Sequence, residues 1–146
     1  MKKMSLAMLM LLALGLVFTS CNQPNVDLTQ SDFDDTSWLI GNWRRESEID
    51  VSYDAAGLTD AEKTVIKNEI DAQTGPFANG EVVILNKTHA DIFANLLKMF
   101  KEEKFSVKTN KDKTKISISG DSEDTIEVGA KKVTVKVSIS ITYTKK

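Results

Sequence analysis

The sequence predicts an α+β domain: one antiparallel, strongly curved or barrel-like sheet of about six strands, in the order β-α-β-α-β-β-β-β, with two helices covering it. Three observations carry this. Residues 133–144 hold a strict period of two, with Val133, Val135, Val137, Ile139, Ile141 and Tyr143 on one side and Thr134, Lys136, Ser138, Ser140, Thr142 and Thr144 on the other. That is the pattern of a strand buried on one face. Two earlier segments carry apolar residues at helical spacing behind capping signals, and the later strands are joined by short links, as antiparallel neighbours are. Twelve residues at about 3.3 Å each span some 40 Å, so the last strand bends across two neighbours or wraps around a barrel-like sheet.

The elements follow in order. Trp38 to Tyr53 opens the folded domain. From Trp43 the odd positions carry Trp43, Ile49, Val51 and Tyr53, while Arg44, Glu46, Glu48, Asp50 and Ser52 fall on the other side. Arg45 and Ser47 interrupt the apolar side, where a bend or bulge is expected. Thr59-Asp60-Ala61-Glu62 is a capping box, and Leu58, Ala61, Val65, Ile66 and Ile70 recur around and after it at helical spacing. A helix over about Asp60 to Gln73 results, stopped by Gly75-Pro76 and lying on the surface of the domain. Val82-Val83-Ile84-Leu85 reads as a short strand buried on both faces. Thr88-His89-Ala90-Asp91 then signals a second helix, His89 to Phe100, with Ile92, Phe93, Leu96, Leu97, Met99 and Phe100 making a wide apolar stripe. Short strands are expected around Phe105–Val107, Ile116–Ile118 and Ile126–Val128. Turns are expected at Asn110–Lys113, Gly120–Asp124 and Gly129–Lys131.

The N-terminus has a different design. Lys2 and Lys3 precede thirteen uncharged residues, Leu6 to Phe18. These are too few for a bilayer span, which takes roughly 20, and match the apolar region of a signal peptide. Phe18-Thr19-Ser20-Cys21 resembles the lipobox of bacterial lipoproteins, with Phe18 where that motif usually has leucine. The resemblance implies cleavage before Cys21 and a thioether-linked diacylglycerol on its sulfur. A plain secretory signal or a membrane-spanning start are the alternatives. Cys21 is the chain's one cysteine, so no disulfide explains it. Asn22 is not the aspartate that retains such proteins in the inner membrane, so the resemblance implies the outer membrane. The expected organisation is a signal peptide over 1–20, the lipidated cysteine and a flexible tether over 21–37, and a single domain over 38–146.

Charge and motifs restrict the function. The mature part holds 17 basic and 21 acidic residues, which gives no sign of nucleic-acid binding. The net charge is −9 over Asn22–Glu81 and +5 over Val82–Lys146; this is read as two solvated faces, or as a dipole that orients the protein on a partner. Asp32, Asp34 and Asp35 lack EF-hand spacing. His89 is the sole histidine and sits in a helix's first turn. No nucleophile elbow, phosphate loop or metal motif occurs, so no catalytic residue, metal or cofactor is expected. A paired-carboxylate hydrolase would have to draw on groups such as Glu46, Glu48 and Asp50, which share the solvent side of one strand.

Leu39-Ile40-Gly41-Asn42-Trp43-Arg44 resembles the Gly-x-Trp start of lipocalins and of lipocalin-like domains in lipoproteins of Bacteroides and its relatives. The resemblance implies that Trp43 plugs the closed end of the sheet and that Gly41 permits a close approach beside it. In that family an arginine of the last strand covers the tryptophan; here Lys136 or the terminal lysines are available. The other reading of Trp43 is a large core residue on a first strand. Two functions follow. One is a non-catalytic envelope lipoprotein binding a small apolar ligand or lipid between helix and sheet, in a cavity lined by Trp43, Phe93, Leu97, Phe100, Val135, Val137 and Ile139. The other is an accessory or inhibitor subunit that docks an envelope protein through a surface patch or exposed sheet edge. The first requires a hollow of a few hundred Å³ under the helix from His89 to Phe100; the second requires a solid core and an exposed edge.

Overall fold

A computed structural model describes residues 23–146; the signal peptide and Cys21 lie outside them. The chain forms β1 (Val26–Asp27), α1 (Gln30–Asp34), β2 (Gly41–Tyr53), α2 (Asp60–Thr74), β3 (Gly80–Ile84), α3 (Lys87–Glu102), β4 (Ser106–Thr109), β5 (Lys115–Val128) and β6 (Lys131–Lys145). All six strands pair antiparallel in one sheet, ordered β1-β4-β5-β6-β2-β3. The sheet is open, with β1 and β3 as its edges, so the barrel-like closure expected from the length of β6 does not occur. β6 instead runs between two long neighbours, pairing with β5 over fourteen positions and β2 over eleven.

The count of six is reached differently from the expectation. Ile116–Ile118 and Ile126–Val128 belong to one strand, and the Gly120–Asp124 turn is absent: Gly120 pairs with Ile139 and Glu123 with Lys136 in unbroken register. Polar residues there look like a turn, but they pair with β6. Gly120 is required because a Cβ would stand 2.7 Å from the Phe105 ring. β2 shows no bulge either, its register with β6 being regular throughout. Arg45 and Ser47 remain on the helix side because backbone acceptors meet them there: Arg45 Nε donates to Ala78 O at 2.7 Å, and Ser47 Oγ to Phe77 O. β3 is an edge strand rather than a doubly buried one, and Val83 and the following Leu85 are exposed.

α2 begins as expected, with Thr59 Oγ1 accepting from Glu62 N–H at 3.2 Å and Glu62 Oε2 accepting from Thr59 N–H at 2.7 Å. α3 starts earlier than expected. Its cap is Asn86, whose Oδ1 accepts from His89 N–H at 3.0 Å, so Thr88 lies inside the helix.

Both helices cover the same sheet face but close separate cores. Under α3 lie Leu39, Trp43, Ala90, Phe93, Leu97, Phe100, Ile116, Ile118, Ile141 and Tyr143. Under α2, Ile66 packs on Val128, Val133 and Val135. The opposite sheet face carries no helix and presents Glu46, Glu48 and Asp50 to solvent with the hydroxyls of β5 and β6.

The segment expected to be a tether is largely folded from Val26 onward. Val26 and Asp27 pair with Thr109 and Lys108, Leu28 is fully buried, and Thr36 is buried. Thr36 Oγ1 donates to Asp91 Oδ1 at 2.6 Å, Lys101 Nζ to Leu28 O at 2.5 Å, and Lys113 pairs with Asp32 at 2.6 Å. The polar composition concealed Leu28 and Phe33, two apolar residues sufficient to dock a short segment on a preformed edge. Burial opposes ionisation of Asp32, but the Lys113 ammonium and the Thr29 N–H and hydroxyl outweigh it and hold its carboxyl below 3.8. The Thr36 hydroxyl and Lys87 likewise lower Asp91. Carboxyls with depressed folded pKa contribute stability above their unfolded value and lose it as pH falls through the folded one. Below pH 3.8, therefore, amide exchange at Leu28, whose N–H donates to Val107 O at 3.4 Å, should accelerate before exchange in β5 and β6; simultaneous loss would show that the segment has no separate hold.

Candidate functional site

The seven residues expected to line one cavity are divided between two cores. Trp43, Leu97, Phe93, Phe100 and Ile139 are all buried in the core under α3, Val135 belongs to the core under α2, and the half-buried Val137 packs against both. Aromatic edges fill the space: Phe93 meets Tyr143 at 5.0 Å between centroids, and Phe100 meets both Phe77 and Phe105 at 5.6 Å. A helix this apolar was expected to cover a hollow; the rings of Phe105 just before β4, Tyr143 of β6 and Phe77 pack against it there instead.

Trp43 sits as a plug at one end of that core. It is wholly inaccessible, its Nε1 donates to Leu39 O at 2.7 Å, and Trp38 meets it edge-on at 6.5 Å. Lys145 Nζ lies 5.4 Å from the ring centroid and donates to Trp38 O at 2.8 Å. Lys145, not Lys136, thus covers the tryptophan; Lys136 is on the other face near Glu123. Gly41 admits this arrangement, since a Cβ there would stand 2.7 Å from Lys145 Cε.

Open concave space lies elsewhere, between β2 and α2. One groove of about 450 Å³ is lined by Ser47, Ile49, Val51, Ile70, Thr74 and Phe77, among others. A second, of about 330 Å³, continues it past Val51, Tyr53, Lys63, Thr64, Lys67 and Ile70. The groove exists because α2 is secured at its ends. Lys131 Nζ bonds Glu62 Oε2 at 2.9 Å and Gly57 O at 2.8 Å, Ile66 is buried, and Phe77 O and Ala78 O accept from Ser47 and Arg45 of β2. Ile49, Val51 and Tyr53 are left half-buried beneath it.

Backbone direction makes this groove more than an apolar slot. Asn42 O accepts from Lys146 N–H at 2.9 Å, so even-numbered residues of β2 direct their backbone groups toward β6. Ser47 N–H donates the other way, to Asn79 Oδ1 at 2.7 Å. The odd-numbered residues therefore point away from β6, because backbone direction alternates along a strand. β3 pairs only with Gly41–Arg45. The N–H and C=O groups of Ile49 and Val51 consequently face the groove with no strand beside them, where an unpaired edge is a template for another chain.

Among the described residues no group of three His, Cys, Asp or Glu side chains could hold a metal. His89 is exposed at the start of α3, and Asp71 in the groove pairs with Lys67 at 2.5 Å. No described helix is long and apolar enough to cross a membrane. The free edge of β2 escaped the sequence reading because it depends on where β3 stops, which no local pattern encodes. Comparison of the chain with protein-family models, curated proteins and solved structures gave no match.

Proposed function

We propose that the chain is a non-catalytic lipoprotein of the cell envelope, anchored by lipid on Cys21 in the outer membrane, that captures an extended segment of a partner protein along the free edge of β2. The observation that carries this reading is the pair of outward-facing backbone groups at Ile49 and Val51, set over an apolar floor and walled by α2. A strand laid there would gain main-chain hydrogen bonds from β2, while alternate side chains of the partner pack on Ile49, Val51 and Ile70. The filled core under α3 favours this accessory role over an internal apolar ligand.

Proline at Val51 gives a direct test. The Val51 N–H takes no part in the ladder with β6, and an edge strand accepts proline where its N–H faces outward. Val51→Pro should leave the cooperative unfolding transition in place and abolish partner capture in crosslinked envelopes, where the unaltered protein recovers a stoichiometric partner. Equal recovery by both proteins would sink the strand-addition reading. Native mass spectrometry showing a small apolar molecule instead of a polypeptide would favour the ligand-binding alternative in the same groove.

A further inference from the structure

The folded N-terminal segment changes where the domain sits relative to its lipid. Only five residue steps separate Cys21 from Val26, and a fully extended chain covers at most about 3.6 Å per residue, or some 18 Å in all. Whatever its conformation, this leash holds the domain against the bilayer rather than away from it.

The register states which end is held. Val26 pairs with Thr109, at the start of the Asn110–Thr114 turn, so the chain running back to Cys21 leaves beside that turn. Lys145 N–H donates to Thr114 O at 2.8 Å, Trp43 pairs with Lys145, and Gly41 pairs with Ile84. The start of β1, the β4–β5 turn, the end of β6, the start of β2, the end of β3 and the start of α3 therefore share one rim. Six large apolar side chains are conspicuously exposed among the described residues, and four belong to this rim. They are Val26 (42% exposed), Val83 (51%), Leu85 (69%) and, in the second turn of α3, Ile92 (65%). Val83 faces the helix-free side of the sheet, since Val82 and Ile84 on either side of it pack in the core. Val26, Leu85 and Ile92 are therefore the exposed apolar groups left along the rim on the other side. Exposed apolar residues along one rim suit a docking surface.

Charge at the rim is largely matched. Lys87 pairs with Asp91, Lys146 with Glu81 and Lys113 with Asp32, while Lys111 and Asp112 stand together on the turn. Such a surface lacks the cationic excess that would seek anionic headgroups. Its long lysine side chains can extend toward headgroups while the apolar residues enter the interface.

We infer that this rim docks on the bilayer that holds the Cys21 lipid, with Leu85 and Ile92 entering the headgroup–acyl boundary. The occupant is the lipid surface itself, because the leash begins in that surface and the exposed apolar residues lie where it ends. The inference rests on the lipidation reading of Cys21 and extends it to orientation. β6 then leads away from the membrane, and its fifteen residues at about 3.3 Å each carry the far hairpin on the order of 45 Å outward. The groove beside Ile49–Tyr53, on the far half of β2, is left open to a partner.

Site-directed fluorescence tests this in the full lipidated protein. Cys21 is the one native cysteine and its sulfur is blocked by lipid, so Leu85→Cys, Ile92→Cys and Val65→Cys each accept a single environment-sensitive label. The variants are reconstituted in vesicles of zwitterionic phospholipid with brominated acyl chains. Labels at positions 85 and 92 should shift to the blue and lose intensity to bromine quenching, while the label at 65 on α2 should do neither. Intact mass reports the diacylglycerol on Cys21 separately. A lipidated protein whose three labels behave alike overturns the orientation alone; a protein without the lipid mass overturns the anchoring reading and the orientation with it.

Discussion

Replacing Trp43 with alanine is expected to destabilise the domain by about 3–5 kcal/mol, the usual result of truncating a buried aromatic residue in a core. For a domain of this size the transition should fall by about 10–20 °C, read by calorimetry or circular dichroism. The side chain is inaccessible, so its apolar surface is lost from the core outright, and the space it leaves is bounded by elements with little freedom to collapse. The start of β2 is paired on both sides, with β3 and β6. Leu39 O would lose the indole donor at 2.7 Å, and Lys145 would lose the ring beneath its ammonium. Trp43→Phe should recover most of the loss, because a ring again fills the end of the core. A Trp43→Ala protein melting within a few degrees of the parent would show that the plug is dispensable.

Changing Cys21 to serine should move the protein from the membrane fraction to the soluble fraction. On the proposed lipidation of Cys21, the anchor would draw on two or more acyl chains, each buried CH₂ contributing about 0.8 kcal/mol, whereas a single chain binds only marginally. The exposed rim residues, Val26, Leu85 and Ile92 among them, are too few to replace that hold. In the proposed arrangement they would only orient a protein that its lipid already holds. Far-UV circular dichroism should be unchanged, since residue 21 precedes every described element. Retention of the serine variant in washed membranes would mean that the N-terminal apolar segment is not removed, or that protein contacts hold the domain there.

Local chemistry made several elements legible. The Thr59/Glu62 capping box, the period-two face of β6 and the apolar stripe of α3 each follow from spacing over a few residues, and the structure contains all three. The stripe is narrower than expected, however, because Ile92 and Met99 face solvent. The Asn110–Lys113 turn is present as well, where Lys113 N–H closes on Asn110 O at 3.0 Å. Misreadings came where a residue's partner was remote in sequence. Asp121–Asp124 resembles a turn until Val135–Ser138 is placed beside it, and Val82–Leu85 resembles an interior strand until nothing pairs beyond it. Residues 26–37 resemble a tether until β4 offers them an edge.

The expected site divided in the same way. Phe93, Leu97 and Phe100 were assigned correctly to the inner face of α3, but whether that face covers a hollow or a filled core depends on rings from Phe77, Phe105 and Tyr143. Periodicity reports which side of an element is apolar. It is silent on how closely two apolar sides approach.

The sequence by itself determined the α+β composition of this protein, its two helices of moderate length, the faces of its longest strands and the singular position of Cys21. Each rests on covalent geometry, helical or strand period, or capping chemistry acting within about one turn or one strand. Tertiary structure alone decided that the sheet stays open, that its core is solid, that β2 outruns β3 to leave an unpaired edge, and that the N-terminal segment docks to shorten the leash. These outcomes depend on pairing register and side-chain packing between residues tens of positions apart, where many arrangements satisfy the local rules and the assembled fold selects one.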